Sequence, residues 1–335
     1  MTERLILDCD PGHDDALAMI LAAGDPRVEL LAVTTCAGNQ TIEKVTRNAL
    51  AVCAVAGIDV PVAAGAAGPM VRPQMVAPDI HGESGLDGPV LPEPTRGLDP
   101  RHAIDLIIDL VMANDPGTIT LVPTGPLTNI ALAMSKEPRI VERVKRVVLM
   151  GGAYTRGNRT PAAEFNIIAD PEAAQAVFAG SWPVTMVGLD LTHQATADAD
   201  VVARIAAIDS PLSRFVVDVL RFFGSTYLER QGFPAPPVHD LCCVAKLCDP
   251  EVFTTRDAFV AVELTGTWTT GMTVTDFDDL LGQEHNTDVA IRLDKPRLWD
   301  MTVAAIAALS ARSALPAGPA DSARTADPTQ PAVRS

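Results

Sequence analysis

Aromatic rings are scarce in this chain: Phe, Trp and Tyr make up 4% of its 335 residues, and two of those rings are tyrosine. Its 47% apolar content must therefore pack mainly as Ala, Val, Leu and Ile, a composition that excludes a disordered protein. Basic charge is short as well. Lys and Arg number 26 against 42 Asp and Glu, a formal charge of -16, which repels phosphate backbones and anionic bilayers, so neither nucleic acid nor a membrane is an expected partner. No uncharged apolar run reaches membrane-spanning length, and the opening MTERLILDCD lacks the basic and apolar stretches of a secretory leader. The cysteines Cys9, Cys36, Cys53, Cys242, Cys243 and Cys248 show no C-x-x-C spacing and lie mostly in apolar runs, as free buried thiols do. Together these absences predict a cytoplasmic protein. There is no Gly-rich loop ending in Gly-Lys-Ser/Thr and no G-x-G-x-x-G after a strand, and Gly82-Glu83-Ser84-Gly85 lacks nucleophile-elbow spacing. Nucleotide-binding loops of those kinds and a serine hydrolase have no support.

What is present is an alternation. Short apolar runs at Leu5 to Leu7, Leu30 to Thr34, Ile119 to Val122, Val144 to Met150 and Val184 to Leu189 are each followed by a helical pattern. This predicts an α/β fold with an open, mostly parallel mixed sheet flanked by helices. Helices are expected at Asp14 to Ala23, Ile42 to Ala56, Arg101 to Ala113, Leu127 to Ser135, Pro171 to Phe178 and Asp198 to Ile208, with Pro126 and Pro171 in first turns, where a missing N–H costs nothing. The later part differs. It predicts a long helix over Leu212 to Gln231, another over His239 to Leu247, a β-hairpin within Glu251 to Thr275, a strand at Asn286 to Leu293 and a closing helix at Trp299 to Leu309. No Pro/Gly/Ser linker divides the chain, so residues 1–309 read as one domain with a helical and hairpin elaboration, and 310–335 as a disordered tail.

Chemistry concentrates first in Asp8-Cys9-Asp10-Pro11-Gly12-His13-Asp14-Asp15. In open parallel sheets ligands bind beyond the carboxyl ends of strands. Asp8 and Asp10 leave the first strand there on one face, and Asp14 and Asp15 fall in the first turn of the next helix, whose positive end favours acids. Helix capping accounts for one or two of these acids but not for four. No Lys or Arg lies between Leu5 and Asp25 to neutralise them, so a cation is the cheapest relief, and all-oxygen ligands point to calcium or magnesium rather than zinc. An EF-hand does not fit, because its fifth, sixth and twelfth positions counted from Asp8 are Gly12, His13 and Met19.

Further polar groups follow apolar runs, where a shared crevice would lie: Asn39, then Thr124 within Pro123 to Asn129, then Asn158, Glu164, Phe165 and Asn166. Each Asn is as suited to a turn as to a substrate, and their repeated place at strand ends is the stronger argument. Asp240 is placed either to cap the next helix or to complete a metal shell, with His239 beside it. His81 lies in a Gly- and Pro-rich stretch, and Tyr227 near the end of the long helix suits core packing or a pocket wall.

These segments together resemble the inosine/uridine-preferring nucleoside hydrolase family. The resemblance runs from Leu5 to about Leu309 and rests on DCDPGHDD at 8–15, TTCAGN at 34–39, IHGESGLDG at 80–88, LVPTGPLTNIA at 121–131, VVLMGGAY at 147–154, AEFNIIADPEAA at 163–174, MVGLDLTHQ at 186–194 and VHD at 238–240. It implies hydrolysis of the N-glycosidic bond of ribonucleosides to ribose and free base, one bound calcium ion, and a homodimer or homotetramer. Asp10, Asp15, Asp240 and the Thr124 carbonyl are then the expected calcium ligands, with Asp14 as the base for a calcium-bound water and Asp8 as a supporting acid. Asn39 and Asn166 would hold the ribose 2′- and 3′-hydroxyls, and Asn158 and Glu164, beside Phe165, the 5′-hydroxyl. His239 would assist departure of the base, with His81 and Tyr227 at the base pocket. Activity on both purine and pyrimidine nucleosides is expected. The rivals are a haloacid-dehalogenase-like magnesium phosphatase, suggested by Leu5 to Asp10 but not by Pro11 to Asp15, and a non-catalytic nucleoside-binding protein, which would need a gap in the site.

Overall fold

The computed structural model describes residues 2–314. Nine strands form one sheet: β1 Glu3–Cys9, β2 Val28–Thr35, β3 Val62–Ala64, β4 Ile119–Pro123, β5 Arg146–Met150, β6 Val184–Val187, β7 Phe253–Val262, β8 Thr273–Asp276 and β9 Thr287–Leu293, in the order β3-β2-β1-β4-β5-β6-β9-β7-β8. Strands β1 to β6 and β9 pair in parallel, while β7 runs antiparallel to β9 and to β8. The α/β fold with a mostly parallel mixed sheet and a hairpin elaboration is therefore the observed one.

Alternation along β1 sorts the core. Leu5 and Leu7 pack on one face, with the helices His13–Gly24, Ile42–Ala56, Pro211–Gln231, Leu241–Cys248 and Lys295–Ala314. Ile6 packs on the other, with Ala103–Ala113, Thr128–Lys136 and Pro171–Phe178. Small aliphatic side chains fill both layers, and truncating one of these fully buried leucines to Ala costs about 2–5 kcal/mol. All six cysteines are buried and unpaired. Among the described residues no helix is long and apolar enough to cross a membrane.

Chain direction around β1 positions the site. From β1 the chain moves to β2 and β3 on one side, then returns to β4 on the other. Connections on the two sides diverge at the carboxyl end of β1, which leaves a crevice there.

Several boundaries differ from expectation. Strand β3 was too short to show as an apolar run. Pro126 precedes its helix, which begins at Thr128, because Thr124 to Leu127 form the bend that leaves β4. The run Val184 to Leu189 splits into β6 and a short helix from Leu189 to Thr192. The closing helix continues to Ala314, helped by strong helix formers such as Ala311 and Arg312. The tail expected from Ser310 thus begins as helix, and the rest of it lies outside the described residues.

Candidate active site

The carboxyl ends of β1 and β4 carry a buried acidic floor. Asp8, Asp10, Asp14, Asp15 and Asp240 are each no more than 5% exposed. Asp8 is tied down by Thr34 Oγ1 at 2.6 Å and Asn129 Nδ2 at 2.8 Å. Asp10 accepts the Asn39 main-chain N–H at 2.6 Å, and its carboxylate lies so close to Gly38 that any Cβ there would collide with it. Asp15 accepts from the Gly12 N–H at 3.0 Å and from Thr124 Oγ1 at 2.8 Å. Asp240 precedes its helix with φ -66 and ψ -31 and makes no side-chain cap. Its carboxyl instead reaches Asp14 and Asp15, so capping is not its role.

Electrostatics make this floor suited to a cation. Burial, then repulsion from Asp15, lifts Asp14 to about 7, and burial lifts Asp8 to about 7 against its hydrogen bonds. Burial and neighbouring acids also push Asp10 and Asp240 well above the carboxylate range. Oxygens of Asp8, Asp10 and Asp14 are buried without a hydrogen-bond partner, and single oxygens of Asp14, Asp15 and Asp240 lie within 4.8 Å of one another. A hard divalent cation satisfies such an all-oxygen set and removes the repulsion. This tight group has Asp14 where the expected ligand set has Asp10, which sits directly beside it. The Thr124 carbonyl accepts from Asn166 Nδ2 at 2.7 Å and so faces the same space.

Above the floor is a cavity of about 220 Å³. One wall comes from β5 and the residues after it. Glu164 caps the short helix Phe165–Ala169, its oxygens accepting N–H groups from Gly152 at 3.0 Å, Asn166 at 2.9 Å and Ile167 at 3.1 Å. Asn158 Oδ1 accepts from the Phe165 N–H at 2.9 Å. Asn166 spends its amide N–H groups on the carbonyls of Thr124 and Met150, which points its oxygen to other partners. Asn39 bonds the Asp10 carbonyl at 3.1 Å from the opposite side.

The second wall is aromatic. His239 Nδ1 is 2.7 Å from Thr192 Oγ1 and its Nε2 is 2.6 Å from the Tyr227 hydroxyl. Burial holds its pKa well below the usual range. Phe223 and Phe233 pack against Tyr227 with centroids at 4.8 and 5.8 Å. His81 completes this wall from the helical turn Pro78–His81. At the rim, Arg159 pairs with Asp79 at 3.7 Å.

Of the residues singled out in the sequence, Asp14, Asn39, His81, Thr124, Asn158, Glu164, Phe165, Asn166, Tyr227, His239 and Asp240 all line the cavity, whereas Asp8, Asp10 and Asp15 lie behind it. Tyr227 is thus both a core residue and a wall residue. Sequence reasoning missed Arg159, Arg230 and Gln231, which also line it; the first adjoins Asn158 and the others follow Tyr227 by about one helical turn, the only hints available. It also missed Asn129 and Thr192, which act through Asp8 and His239.

The family model described as inosine-uridine preferring nucleoside hydrolase matches residues 5–300. The chain belongs to that family. It is 52% identical over 308 residues to the inosine-uridine preferring nucleoside hydrolase of Crithidia fasciculata, covering 91% of this chain and 98% of that one. It is 47% identical over 298 residues to the pyrimidine-specific ribonucleoside hydrolase RihB of Shigella flexneri, covering 89% and 95%. The solved purine-preferring ribonucleoside hydrolase from Gardnerella vaginalis superposes with a TM-score of 0.86 at 33% identity, over 92% of this chain and 99% of that one. As a family member this chain is an enzyme that hydrolyses the N-glycosidic bond of nucleosides.

Proposed function

We propose that this enzyme hydrolyses ribonucleosides of both base classes, with calcium on its acidic floor and Asp14 as the base that activates water. One observation carries the assignment of Asp14. Among the described residues it alone lines the cavity, belongs to the tight acid group and has a buried carboxylate oxygen without a partner. Asp10, Asp15, Asp240 and the Thr124 carbonyl are the proposed calcium ligands, with Asp8 steadying them from behind. When bound, the cation supplies positive charge that makes a neighbouring water easier to deprotonate and attracts the ribose diol.

Asp14 takes the proton of the attacking water. Asn39 and Asn166 hold the 2′- and 3′-hydroxyls, and Asn158 and Glu164 hold the 5′-hydroxyl, with Phe165 packed beside the sugar. Bond cleavage leaves positive charge on the ribose, which the buried acids stabilise. On the other wall His239, bonded to Tyr227, is placed to pass a proton towards the departing base, and His81 meets the base itself. A phosphatase reading needs Asp8 as nucleophile, yet Asp8 is 1% exposed and engaged by Thr34 and Asn129.

The test is release of ribose and free base from inosine, adenosine, guanosine, uridine and cytidine by the calcium-loaded protein. Turnover of at least one purine and one pyrimidine nucleoside is expected, and turnover of none would sink the assignment. The family resemblance further supports a cytoplasmic homodimer or homotetramer with residues 1–309 as one catalytic domain. Light scattering checks the assembly.

A further inference from the structure

One ridge of the helix Ile42–Ala56 carries polar groups that the reaction just described does not use. Gln40, Lys44 and Asn48 stand four residues apart, the spacing that stacks side chains on one helical face, with Gln40 just ahead of the first turn. Each donates to the main-chain carbonyl of one of three successive residues: Gln40 Nε2 to Gly82 at 3.2 Å, Lys44 Nζ to Glu83, and Asn48 Nδ2 to Ser84 at 3.0 Å. Lys44 Nζ also donates to Gln40 Oε1 at 3.3 Å, and Asn48 Nδ2 to the Pro11 carbonyl at 3.0 Å. Gln40 and Asn48 are buried and Lys44 is half-buried. Carbonyls of a surface loop are ordinarily left to water, so three in a row taken by one helix form a fastening.

The fastened loop is also closed on itself. The Asp87 carboxylate accepts the N–H groups of Glu83 at 3.0 Å and Ser84 at 3.1 Å, and the Asp87 N–H donates to the His81 carbonyl at 3.3 Å. Gly85, with φ +85, lies flat against the ridge, where a Cβ would stand 3.1 Å from both Asn48 Nδ2 and Gln40 Cγ. At the other end of the segment the Ala77 N–H donates to the Asn39 carbonyl at 3.0 Å. Residues 77–87 are thus held at both ends by residues 39–48, and they bring Ala77, Asp79, Ile80 and His81 to the cavity.

We propose that Gln40, Lys44 and Asn48 are positioning residues that clamp segment 77–87 to the helix, so that the base-facing wall around His81 stands preformed when a nucleoside enters. This rests on the reading above that the base meets His81. The groups assigned to the sugar are held by other parts of the fold: Asn158, Glu164 and Asn166 follow β5, and Asn39 is fixed by Asp10. A wall in place for only part of the time lowers apparent affinity by that fraction. Loosening the clamp therefore weakens binding of whole nucleosides while binding of the sugar alone is unaffected. Once a nucleoside is bound the acids act as before, and the cost falls on KM rather than on kcat.

The test compares the full-length, calcium-loaded wild type with the double variant Gln40→Leu/Lys44→Met, which keeps the apolar stems of both side chains and removes their donors. Three quantities are read: amide hydrogen exchange across residues 77–87, KM and kcat for inosine and uridine, and the inhibition constant of free ribose. In the variant, exchange of this segment should quicken about tenfold and KM should rise about tenfold, while kcat changes less than about threefold and the ribose constant less than about twofold. Exchange at the wild-type rate, faster exchange with KM unchanged, or a ribose constant that rises as much as KM would each overturn the proposal. Should the double variant fail to fold, Lys44→Met alone, at a half-buried position, should raise both exchange and KM about threefold, and the same outcomes decide. Exchange needs no turnover. A chain inactive on every nucleoside whose segment 77–87 nevertheless loosens in the variant would remove the functional reading and leave the clamp standing.

Discussion

The acidic floor and the aromatic wall of the cavity are made from different parts of the fold. Floor acids end or follow β1, open the helix after it or, for Asp240, precede a later helix, and both main-chain and side-chain donors hold them: the Asn39 N–H on Asp10 at 2.6 Å, the Gly12 N–H on Asp15 at 3.0 Å, and Thr34 and Asn129 on Asp8. Wall residues come from the end of a long helix, from His239 beside Asp240, and from the stretch between β3 and β4, whose only helix before Ala103 is one short turn. That stretch is tied down by main-chain bonds such as the Ala77 N–H on the Asn39 carbonyl at 3.0 Å, by the contact of His13 with His81 and by the partly exposed Arg159–Asp79 pair. The floor is anchored mostly at the end of the central strand β1, whereas the wall is carried by segments outside the sheet, a kind of segment that varies more easily.

If the floor alone carries the chemistry, its removal should have the largest effect. Asp14→Asn keeps shape and removes the base, so kcat should fall about a thousandfold with calcium content unchanged, as read by initial rates and metal analysis. An Asn variant above a tenth of wild-type activity would move the base elsewhere. Calcium should also tie the floor together: chelation, or Asp10→Ala, should lower stability to unfolding by on the order of 3 kcal/mol where free calcium had stood at about a hundred times its Kd. A chelator without effect on the denaturation midpoint would contradict the cation site.

Glu164 tests the boundary between the two regions. Burial lifts it to about 7 from 4.5, although three main-chain N–H groups pull the other way. The folded state therefore keeps a proton that the unfolded chain releases earlier. The stabilisation is complete below pH 4.5 and is lost as pH rises through about 7. Relative to Glu164→Gln, wild type should lose on the order of 2 kcal/mol between about pH 5 and about pH 7.5 in denaturant titrations. An unchanged difference would mean that the N–H donors prevail and the group stays ionised. The smallest effect belongs to the wall. Tyr227→Phe removes the hydroxyl on His239 and should lower kcat about tenfold, unequally for inosine and uridine, with calcium content unaffected.

Much of this arrangement was legible in the chain itself. The alternation of β-branched runs with helical patterns revealed the parallel sheet because burial on both faces demands continuous apolar strands, as Leu5, Ile6 and Leu7 show by packing on alternate sides. Ordered motifs marked the cavity residues. Less legible were the three-residue strand β3, too short to carry a period, and the start of the helix after Pro126, where a bend that shapes the site overrode the usual place of proline.

The sequence by itself determined which acids and amides the enzyme has and how they follow strand ends, and hence that a cluster suited to a cation lies there. Only the tertiary structure decided their separate positions: Asp14 and Asp240 at the cavity, Asp8, Asp10 and Asp15 behind it. It alone turned His13 from a neighbour of the acids into a partner of His81, 68 positions away. The physical reason is range. Strand and helix periods are set by local backbone geometry, whereas the partners of a buried ring nitrogen are groups that only folding brings within about 3 Å.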